Sequence, residues 1–442
     1  MTALLSNERT NRGAWVYGRA SDDDRRLLSA DAKVTTKQQN CRPALLAIRR
    51  GEGLMVEDWS GRRYMDLHGN NCHHIGYRHP RLLAGLAEQL SELTCNVRGF
   101  TNEAFVTFAE RLAGLWPGRD GRVFMVPGGA AANELALAVA RVHTGRHKFM
   151  SFDDSFHGRS FGAVSLSGAP AHRSPRLGPL LPGAVYATSF RTARPDEAES
   201  AAEASLEAIR DALETRDVAC FFAEPMMMDS RRPPDWYWPA VREHCDRCGT
   251  LLIFDEVPTG LGKMGKMFSS ELFAVRPDIT VLGKALGGGA LPVAAVVVDG
   301  ALDSAPELNL GYFTHEKNPL MARAALETLR IIEDECLVEN ALACGRYAFE
   351  RLEWMRRRHC HLIPRPARGQ GLMLSIDIAA DNDETRDEAL ATTIFFRCID
   401  RGLILNYPAY GSSITLSFPL IARLADIDRA VCILDAALTE LS

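Results

Sequence analysis

The chain has 442 residues, of which 46% are hydrophobic and 24% charged, and its formal net charge is −5. This length exceeds what one ordinary hydrophobic core holds together, so we expect a large domain and at least one smaller domain. The slightly acidic balance offers no basic surface for nucleic acid, and the longest uncharged apolar stretch, residues 285–298, is shorter than the roughly 20 residues that span a membrane.

The N-terminal part combines a polar segment, a group of short strands and a helix. Residues 1–40 carry Arg and Asp clusters with little periodicity, which indicates an irregular arm lying over a surface or a partner subunit. Residues 45–67 contain short alternating apolar runs separated by glycine-containing turns, a pattern typical of small antiparallel strands. From Pro80 to Leu93, leucines at spacings of three and four predict a helix.

Residues 122–300 alternate short apolar segments with helical ones. Strands that alternate with helices favour a mostly parallel sheet covered by helices on both faces, so the predicted fold class is α/β. The apolar segments that we expect to be strands are RVFMV, KFMSF, VACFFAE, TLLIFDEV, ITVLG and PVAAVVV.

The pattern changes again at about residue 317, where long helices, a strand pair near GLMLSIDI and ITLSF, and a terminal helix follow. This change predicts a separate small α+β domain. We therefore divide the chain into an N-terminal arm with a small-domain segment (residues 1–75), a large domain (76–316) and a C-terminal small domain (317–442).

Two of the predicted strands end in ionisable side chains that could take part in catalysis. Ligands of parallel α/β sheets bind at the carboxyl ends of the strands, so these positions carry most weight. The strand LLIF ends in Asp255 and Glu256, and a carboxylate buried there needs a partner. The strand ITVLG ends at Lys284, which ALGGG follows; a lysine desolvated in such an apolar surrounding has a lowered pKa and favours Schiff-base chemistry.

Two further strand exits complete the pattern. RVFMV leads into Pro127, Gly128, Gly129 and Ala130 and then a helix, and bare backbone N–H groups at a helix N-terminus bind phosphate. KFMSF leads to Phe156 and His157, where the aromatic ring of Phe156 is suited to stack on a flat heterocycle. A phosphate cup, a stacking ring, an acid and a lysine together predict pyridoxal 5'-phosphate (PLP) as the cofactor.

Other motifs are weaker indications of a metal site or a nucleotide site. Cys245 and Cys248 form a CxxC, but no second ligand pair follows at matching spacing, so we predict a helix ending at Gly249 and no metal site. Residues 260–266 fit both GxGxxG and GxxxxGK nucleotide patterns. The first would place a pyrophosphate beside the carboxylates at 255 and 256, and the second has Met267 where a magnesium-binding hydroxyl is required, so nucleotide binding is disfavoured.

Motifs along nearly the whole chain resemble those of the class III aminotransferases, PLP enzymes of fold type I. They are GEGLMVEDWSGRRYMDL, GYRHPRL, SFHGRSFGAVSLSG, AEP, LLIFDEVPTGLGKMGKMF, PDITVLGKALGGGALPVAAVV, FTHEKNPL and RGQGLMLSIDI. The resemblance implies a large domain with a mostly parallel seven-stranded sheet and a small α+β domain, and an enzyme that takes a primary amine and a keto-acid acceptor.

The resemblance also implies roles for individual residues. Lys284 would be the Schiff-base and proton-transfer residue, Asp255 would pair with the pyridine nitrogen, and Glu224 would stand beside the substrate. Thr314 would reach the phosphate from a neighbouring subunit, which implies at least a homodimer with shared active sites. The remaining cofactor-binding positions by the same matching are Gly128, Gly129, Ala130, Phe156, His157 and Val257.

Of three departures from the family pattern, two concern the cofactor and one concerns the substrate. Ala130 and Ala131 stand where a hydroxyl residue and Glu are usual, and Pro258 replaces a Gln that bonds the cofactor's phenolic oxygen. Thr415 stands where a late Arg grips an α-carboxylate, so an ordinary α-amino acid is disfavoured unless another cation substitutes. The cations considered for that role are Arg98, Arg159 and Lys317, each of which also suits a plain surface position.

The sequence thus favours a PLP-dependent aminotransferase acting on a primary amine or non-standard amino acid. A branch of the same family that eliminates a β-substituent from small amino-phosphonates or amino-phosphates, the ammonia-lyases and phospho-lyases, also matches these departures. A catalytically silent protein with this fold is the third alternative, against which intact Lys284 and Asp255 argue. Eleven scattered cysteines without a recognisable secretory signal indicate reduced thiols and a cytoplasmic protein.

Overall fold

The N-terminal segment contains a helix that the sequence pattern did not predict. In the computed structural model, which describes residues 13, 15–16, 18–36, 44–118, 120–192, 195–379, 384–407 and 411–441, helix α1 runs over Asp22–Val34. Ser21 caps it by accepting a hydrogen bond from the Asp24 N–H at 3.1 Å, and its first turn carries three aspartates. The expectation of an irregular arm is therefore wrong for this stretch, because the helix is favoured by its cap and its acidic first turn.

The strands of the described segments form three sheets. The orders of neighbouring strands are β1-β2-β3-β13, β4-β10-β9-β8-β7-β5-β6 and β11-β12-β14. In chain order the strands are β1 (Ile48–Glu52), β2 (Met55–Asp58), β3 (Arg63–Asp66), β4 (Gly121–Val126), β5 (Lys148–Phe152), β6 (Ala184–Ala187), β7 (Val218–Ala223), β8 (Leu251–Asp255), β9 (Ile279–Leu282), β10 (Ala294–Asp299), β11 (Arg368–Gln370), β12 (Met373–Asp377), β13 (Leu403–Ile404) and β14 (Ser413–Ser417).

Helices connect these strands and cover the central sheet. The predicted helix near Pro80–Leu93 is confirmed as α2, and the long helices after residue 317 as α8 and α9. After α1, the α-helices are α2 (Pro80–Glu92), α3 (Glu103–Leu115), α4 (Gly129–Thr144), α5 (Phe161–Leu166), α6 (Ala198–Leu213), α7 (Tyr237–Cys248), α8 (Pro319–Asp334), α9 (Leu337–Arg358), α10 (Glu384–Asp400) and α11 (Leu424–Thr439).

The seven-stranded sheet confirms the predicted α/β class. Its strands run parallel from β9 through β8, β7 and β5 to β6, and β10 is antiparallel to both β9 and β4. Alternate side chains enter different cores: Phe221 and Phe254 pack with α6 and α7, whereas Phe222 and Ile253 pack with α4. Both faces are buried, which is why these strands are continuous apolar runs.

The two smaller sheets join distant parts of the chain. Strands β1 to β3 form the predicted antiparallel meander, and β13 adds to β3 in parallel. Strands β11, β12 and β14 are antiparallel, with Ser375 of β12 opposite Thr415 of β14. The N-terminal strands therefore share a sheet with the C-terminal region, although the proposed domain boundaries themselves stay a prediction.

A buried lysine ties the loop after β8 to the C-terminal sheet. Lys263 is fully buried, and its Nζ donates a hydrogen bond to the Phe418 backbone oxygen at 2.5 Å. Its backbone oxygen accepts from the Leu372 N–H at 3.0 Å. Burial lowers the pKa of Lys263 to about 7. The nucleotide-loop patterns at 260–266 thus lie in a segment that packs into the protein.

The burial of Lys263 predicts a specific pH dependence of stability. Above about pH 7 the folded state holds Lys263 neutral, whereas the unfolded chain keeps it protonated up to the ordinary value of 10.5. The unfolded state then binds more protons, so stability rises with pH across this window. We expect the free energy of unfolding of the wild type, measured with urea, to rise between pH 7.5 and pH 9.5 by up to about 2 kcal/mol more than that of Lys263→Met.

The control for this prediction is Lys266→Met, because Lys266 belongs to the same loop but is exposed. Its stability should follow the wild type at both pH values. Parallel pH curves for the wild type and Lys263→Met would show that Lys263 is not held neutral.

Candidate active site

A cavity of about 390 Å³ opens at the carboxyl ends of the central strands. Loops after β5, β7, β8 and β9 and the start of α4 form its walls. Gly128 adjoins the cavity as the residue that precedes α4. Of the residues predicted from the sequence, those that line it are Gly129, Ala130, Phe156, His157, Glu224, Asp255, Val257 and Lys284.

The N-terminus of α4 supplies the anion-binding end of the cavity. Gly128 precedes the helix and makes no side-chain cap, so the first N–H groups of α4 stay available to a ligand. Gly129 lies close to the loop after β8, since a Cβ placed on it would stand 3.4 Å from both Val257 methyl groups. Ala130 and Ala131 bring no hydroxyl to this end, so a phosphate there depends on backbone amides.

Asp255 is held in place by three hydrogen bonds. Its Oδ2 accepts from Asn133 Nδ2 at 2.9 Å and lies 2.8 Å from His157 Nδ1, and its Oδ1 accepts from the Val257 N–H at 3.1 Å. The residue is 3% exposed. Asn133 also donates to the His157 backbone oxygen at 2.7 Å. Three elements thereby fix one buried carboxylate at the floor of the cavity.

Asn133 is a site residue that sequence reasoning missed. It lies in the second turn of α4, four residues after Gly129, and helical spacing turns it toward the same cavity. The GGAAANE pattern carries that signal, because a polar residue four positions after a phosphate-binding glycine faces the sheet. The same helix thus offers amides at its start and positions Asp255 one turn later.

His157 is oriented by its surroundings. Its backbone N–H donates to Ser167 Oγ at 2.8 Å, and its ring contacts Phe222 edge to face, with centroids 4.9 Å apart. The next residue, Gly158, has φ +130, and a Cβ there would meet the Ala130 Cβ at 2.7 Å. Only glycine lets this loop pass so close to the start of α4.

Lys284 stands opposite Asp255 in a strained backbone position. Its φ is +44, in the left-handed region that non-glycine residues rarely adopt, and a short 3-10 helix over Lys284–Gly287 follows. Its Nζ lies 3.9 Å from Met228 Sδ. Burial lowers the pKa of Lys284, while the nearby carboxyls of Glu224 and Asp255 act in the opposite direction. A lysine with a lowered pKa is the nucleophilic form that carbonyl chemistry needs.

Glu224 shares the cavity with Lys284 and Asp255. It is 8% exposed, and its pKa is raised well above the usual range, first by burial and second by the charge of Asp255. Lys284 opposes that shift. Glu256, the residue after Asp255, points elsewhere: it accepts hydrogen bonds from the Ser269 and Ser270 N–H groups and is 1% exposed. Only the first of the two carboxylates after β8 therefore faces the cavity.

Phe156 and Val257 both contribute apolar surface to the cavity. Phe156 is 37% exposed and contacts the His172 ring edge to face, with centroids 4.7 Å apart. The Arg159 guanidinium lies 5.4 Å from the centre of the Phe156 ring. A flat ring between Phe156 and Val257 would have an apolar contact on each side, with Asp255 at its edge.

Two predicted positions lie away from the cavity within one chain. Thr314 is exposed and is not among the described residues that line the cavity, so its predicted phosphate contact would come only from another subunit. Thr415 is 5% exposed and its hydroxyl lies 2.7 Å from Ser375 Oγ, which donates to Ser230 Oγ at 2.9 Å. Position 415 is therefore part of a buried chain of hydroxyls.

The cations considered as carboxylate partners lie in different places. Arg98 stacks on Tyr312, with its guanidinium carbon 3.2 Å from the ring centre, and Lys317 Nζ lies 5.9 Å from the Phe105 ring. Arg159 lies beside Phe156, which lines the cavity, but is not itself part of the described lining. Arg191, which sequence reasoning missed, lines the cavity itself, and the loop after β6 carries it there.

This donor set fits PLP. Helix-terminal amides suit its phosphate, Phe156 and Val257 suit its ring, Asp255 suits a protonated ring nitrogen, and Lys284 suits its aldehyde. The sequence profile of the family "Aminotransferase class-III" matches residues 36–438. The chain belongs to the class III aminotransferases. Its fold is fold type I, its cofactor is PLP, and it is a PLP-dependent enzyme of the aminotransferase type.

Individual relatives of this class III chain differ in the reaction that they catalyse. The (R)-1-hydroxy-2-aminoethylphosphonate ammonia-lyase of Vibrio splendidus is 32% identical, covering 97% of this chain and 93% of its own. The acetylornithine aminotransferase of Methanosarcina acetivorans is 30% identical, covering 93% and 96%. A PLP-bound amine transaminase from an uncultivated Pseudomonas species is 28% identical, with a TM-score of 0.82 and coverage of 92% and 98%.

The described segments of this class III chain have neither a membrane-crossing helix nor a cluster of metal ligands. In those segments, no helix has the length and apolar character that crossing a bilayer requires. The same segments contain no group of three or more His, Cys, Asp or Glu side chains placed to hold a metal ion. Cys245 and Cys248 lie buried in α7, which ends at Gly249 as predicted.

Proposed function

We propose that this enzyme transfers the amino group of a primary amine or non-standard amino acid to a keto-acid or aldehyde acceptor. The observation that carries the proposal is the convergence of Lys284, Asp255 and the α4 N-terminus on one cavity, without an arginine at position 415. The lysine and the carboxylate provide the chemistry of the family. The missing arginine limits which substrates the enzyme accepts.

Each cavity residue has one task in this proposal. Bound PLP supplies an aldehyde that takes up the amine and a ring that withdraws electrons from the substrate carbon. Lys284 Nζ accepts the proton from the carbon that bears the amino group and returns it during transfer. Asp255, held by His157 and Asn133, keeps its negative charge toward the ring nitrogen and so keeps that nitrogen protonated. Gly128, Gly129 and Ala130 hold the phosphate.

The chemistry of position 415 supports a substrate without an α-carboxylate. Thr415 bonds to Ser375 in a buried chain of hydroxyls, so β14 presents no cation to the cavity. A keto-acid acceptor still requires one, and Arg159 is an exposed guanidinium beside Phe156. The proposal assigns Arg159 to the acceptor rather than to the amine donor. Glu224, which is buried in the cavity wall, stands beside the substrate.

The proposal includes an assembly and a location. Thr314 is exposed in the single chain, as a residue that reaches the phosphate of a neighbouring subunit must be. Exposed apolar side chains on the same and nearby segments, Tyr312 (69%), Phe100 (67%) and Phe161 (67%), suit a subunit contact. We therefore include a homodimer or larger homo-oligomer with shared active sites, acting in the cytoplasm on small molecules rather than nucleic acid or membranes.

The proposal is tested by a screen of primary amines with and without an acceptor. We expect turnover only when pyruvate, 2-oxoglutarate or an aldehyde is present, with the amino group recovered in the acceptor. Without an acceptor, each active site should convert about one amine and then stop. Catalytic release of ammonia from an amine alone would contradict the transaminase proposal.

Elimination is the second candidate function, and one observation favours it. The Vibrio ammonia-lyase is 32% identical over 97% of this chain, and a lyase needs no keto acid and therefore no carboxylate clamp at position 415. In that reaction Lys284 would remove the proton and a substituent of a small amino-phosphonate or amino-phosphate would leave. Ammonia released over many turnovers without an acceptor would identify this reaction.

A further inference from the structure

A second pocket, rich in arginine, lies behind the wall of the cofactor cavity. It has a volume of about 190 Å³ and forms between the loop after β7 and the segment that leads into β11. Four arginines line it, together with a single carboxylate, Asp377. They are Arg231, Arg232, Arg365 and Arg368.

The carboxylates around this pocket are shared between arginines, and Arg231 and Arg368 each also donate a hydrogen bond to a backbone oxygen. Arg368 pairs with Asp377 at 2.6 Å, and Arg231 shares Asp377 at 3.8 Å while also pairing with Asp229. Asp377 itself is 6% exposed, and its pKa is lowered chiefly by Arg368, against the effect of burial. Each of these arginines therefore competes for a carboxylate that another arginine also uses.

Arg365 has no such carboxylate. Among the residues that the structure describes, no hydrogen-bond or ion-pair partner contacts its guanidinium, and the side chain is half-buried at the pocket. Arg232 donates to Gln370 Oε1 at 3.1 Å and pairs with Asp235, an exposed residue outside the pocket. The pocket thus presents guanidinium donors that a bound oxyanion would satisfy.

The walls of the pocket are rigid. Pro233, Pro234 and Pro366 line it, and proline fixes φ, so little conformational freedom is lost when a ligand binds. Phe190 adds an apolar surface. A small oxyanion, alone or on a short organic group, matches both the charge and the apolar walls.

The pocket is connected to the cofactor cavity through shared ion pairs. Arg231 lines the pocket and pairs with Asp229, which lines the cofactor cavity. Asp229 also pairs with Arg191 at 2.8 Å, and Arg191 lies 3.7 Å from Asp154, both of them in the cavity wall. An anion that draws Arg231 away from Asp229 leaves Arg191 as the remaining described ion-pair partner of Asp229. The charge balance beside the cofactor then changes.

We propose that this pocket is a binding site for a small oxyanion, of the phosphate or carboxylate class, that is distinct from the cofactor's phosphate site and adjusts the cofactor cavity through Arg231, Asp229 and Arg191. The site does not depend on whether the enzyme is a transaminase or a lyase. Guanidinium groups in pairs favour planar or tetrahedral oxyanions over chloride.

The proposal is tested by calorimetric titration of the PLP-saturated enzyme with inorganic phosphate at constant ionic strength. We expect one phosphate to bind per chain outside the filled cofactor site. Arg365→Ala should weaken that binding by roughly tenfold or more, because a charge-assisted hydrogen bond is lost. Arg232→Gln should also weaken it. A parallel titration with succinate distinguishes a phosphate site from a carboxylate site.

The matched control is Arg357→Ala, since Arg357 is an exposed arginine, 75% accessible, that pairs with Glu353 on α9 and does not line the pocket. It should bind phosphate as the wild type does. The proposed site would be wrong if both pocket variants bound each anion as tightly as the wild type does. It would also be wrong if the wild type bound neither phosphate nor succinate. If phosphate binds but leaves the visible absorbance of the cofactor unchanged, the connection to the cavity is wrong.

Discussion

We expect Lys284→Ala to lower kcat by roughly 10⁴-fold, the upper end of what one proton-transferring side chain contributes. The variant loses both the amine that joins the cofactor aldehyde and the base that moves the substrate proton. Burial lowers the pKa of this lysine, which favours the neutral, nucleophilic amine. The measurements are kcat with the best amine found, the visible absorbance of the bound cofactor, and borohydride trapping followed by peptide mass spectrometry.

Lys266→Ala is the control for this variant. Lys266 is exposed in the loop after β8 and has no place in the cavity lining. It should keep the wild-type kcat and absorbance, and trapping should label the peptide with residue 284. A cofactor trapped on another lysine, or more than a hundredth of the wild-type kcat in Lys284→Ala, would show that residue 284 is not the reactive amine.

The parts of the fold that the sequence predicted share a strong local signal. Strands buried on both faces, such as β7 with Phe221 and Phe222, are continuous apolar runs, which are easy to recognise in a sequence. The edge strand β6 was missed, because AVYA is short and only half-buried along most of its length. The helix α1 was missed as well, since its signal is a cap and an acidic first turn rather than an apolar stripe.

The site residues that could be predicted are those whose position directly after a buried strand is visible in the local sequence. Asp255 and Lys284 each follow a buried strand directly, and the order of their motifs in the chain is distinctive. Asn133 and Arg191 were missed because their partners are distant in the sequence. Asn133 contacts Asp255, which is 122 residues away along the chain, and Arg191 contacts Asp229, which is 38 residues away. Contacts between loops of different strands depend on sheet order, and a single sequence does not state that order.

The family resemblance assigned the cofactor contact to Asp255, but the local pattern of a strand followed by two carboxylates did not by itself distinguish Asp255 from Glu256. Neighbouring residues at a strand end point to opposite faces, so at most one of Asp255 and Glu256 meets the cofactor. The structure shows that Asp255 faces the cavity and that Glu256 accepts backbone N–H groups of Ser269 and Ser270. Two chemically similar side chains at consecutive positions thus offer a matched experiment.

We expect Asp255→Asn to lower kcat by roughly 10²- to 10³-fold, the loss typical of removing one preorganised charge from an active site. Asparagine keeps the size of the side chain but cannot balance a protonated ring nitrogen. It also changes the contact with His157, whose Nδ1 lies 2.8 Å from Asp255 Oδ2. The measurements are kcat, the cofactor dissociation constant and the visible absorbance of the cofactor across pH.

Glu256→Gln separates that electrostatic effect from general damage at the end of β8. Burial raises the pKa of Glu256 to about 7 against the hydrogen bonds of Ser269 and Ser270, so near neutral pH the carboxyl is already partly uncharged. In the wild type, each Glu256 oxygen accepts one of the two backbone N–H groups. A glutamine side chain replaces one of these oxygens with an NH2 donor, so one N–H group loses its acceptor, which should cost about 1–3 kcal/mol of stability. Because Glu256 is absent from the described lining of the cavity, kcat should stay near the wild-type value. If Glu256→Gln instead lost more kcat than Asp255→Asn, the charge opposite the cofactor ring would have to be assigned to residue 256.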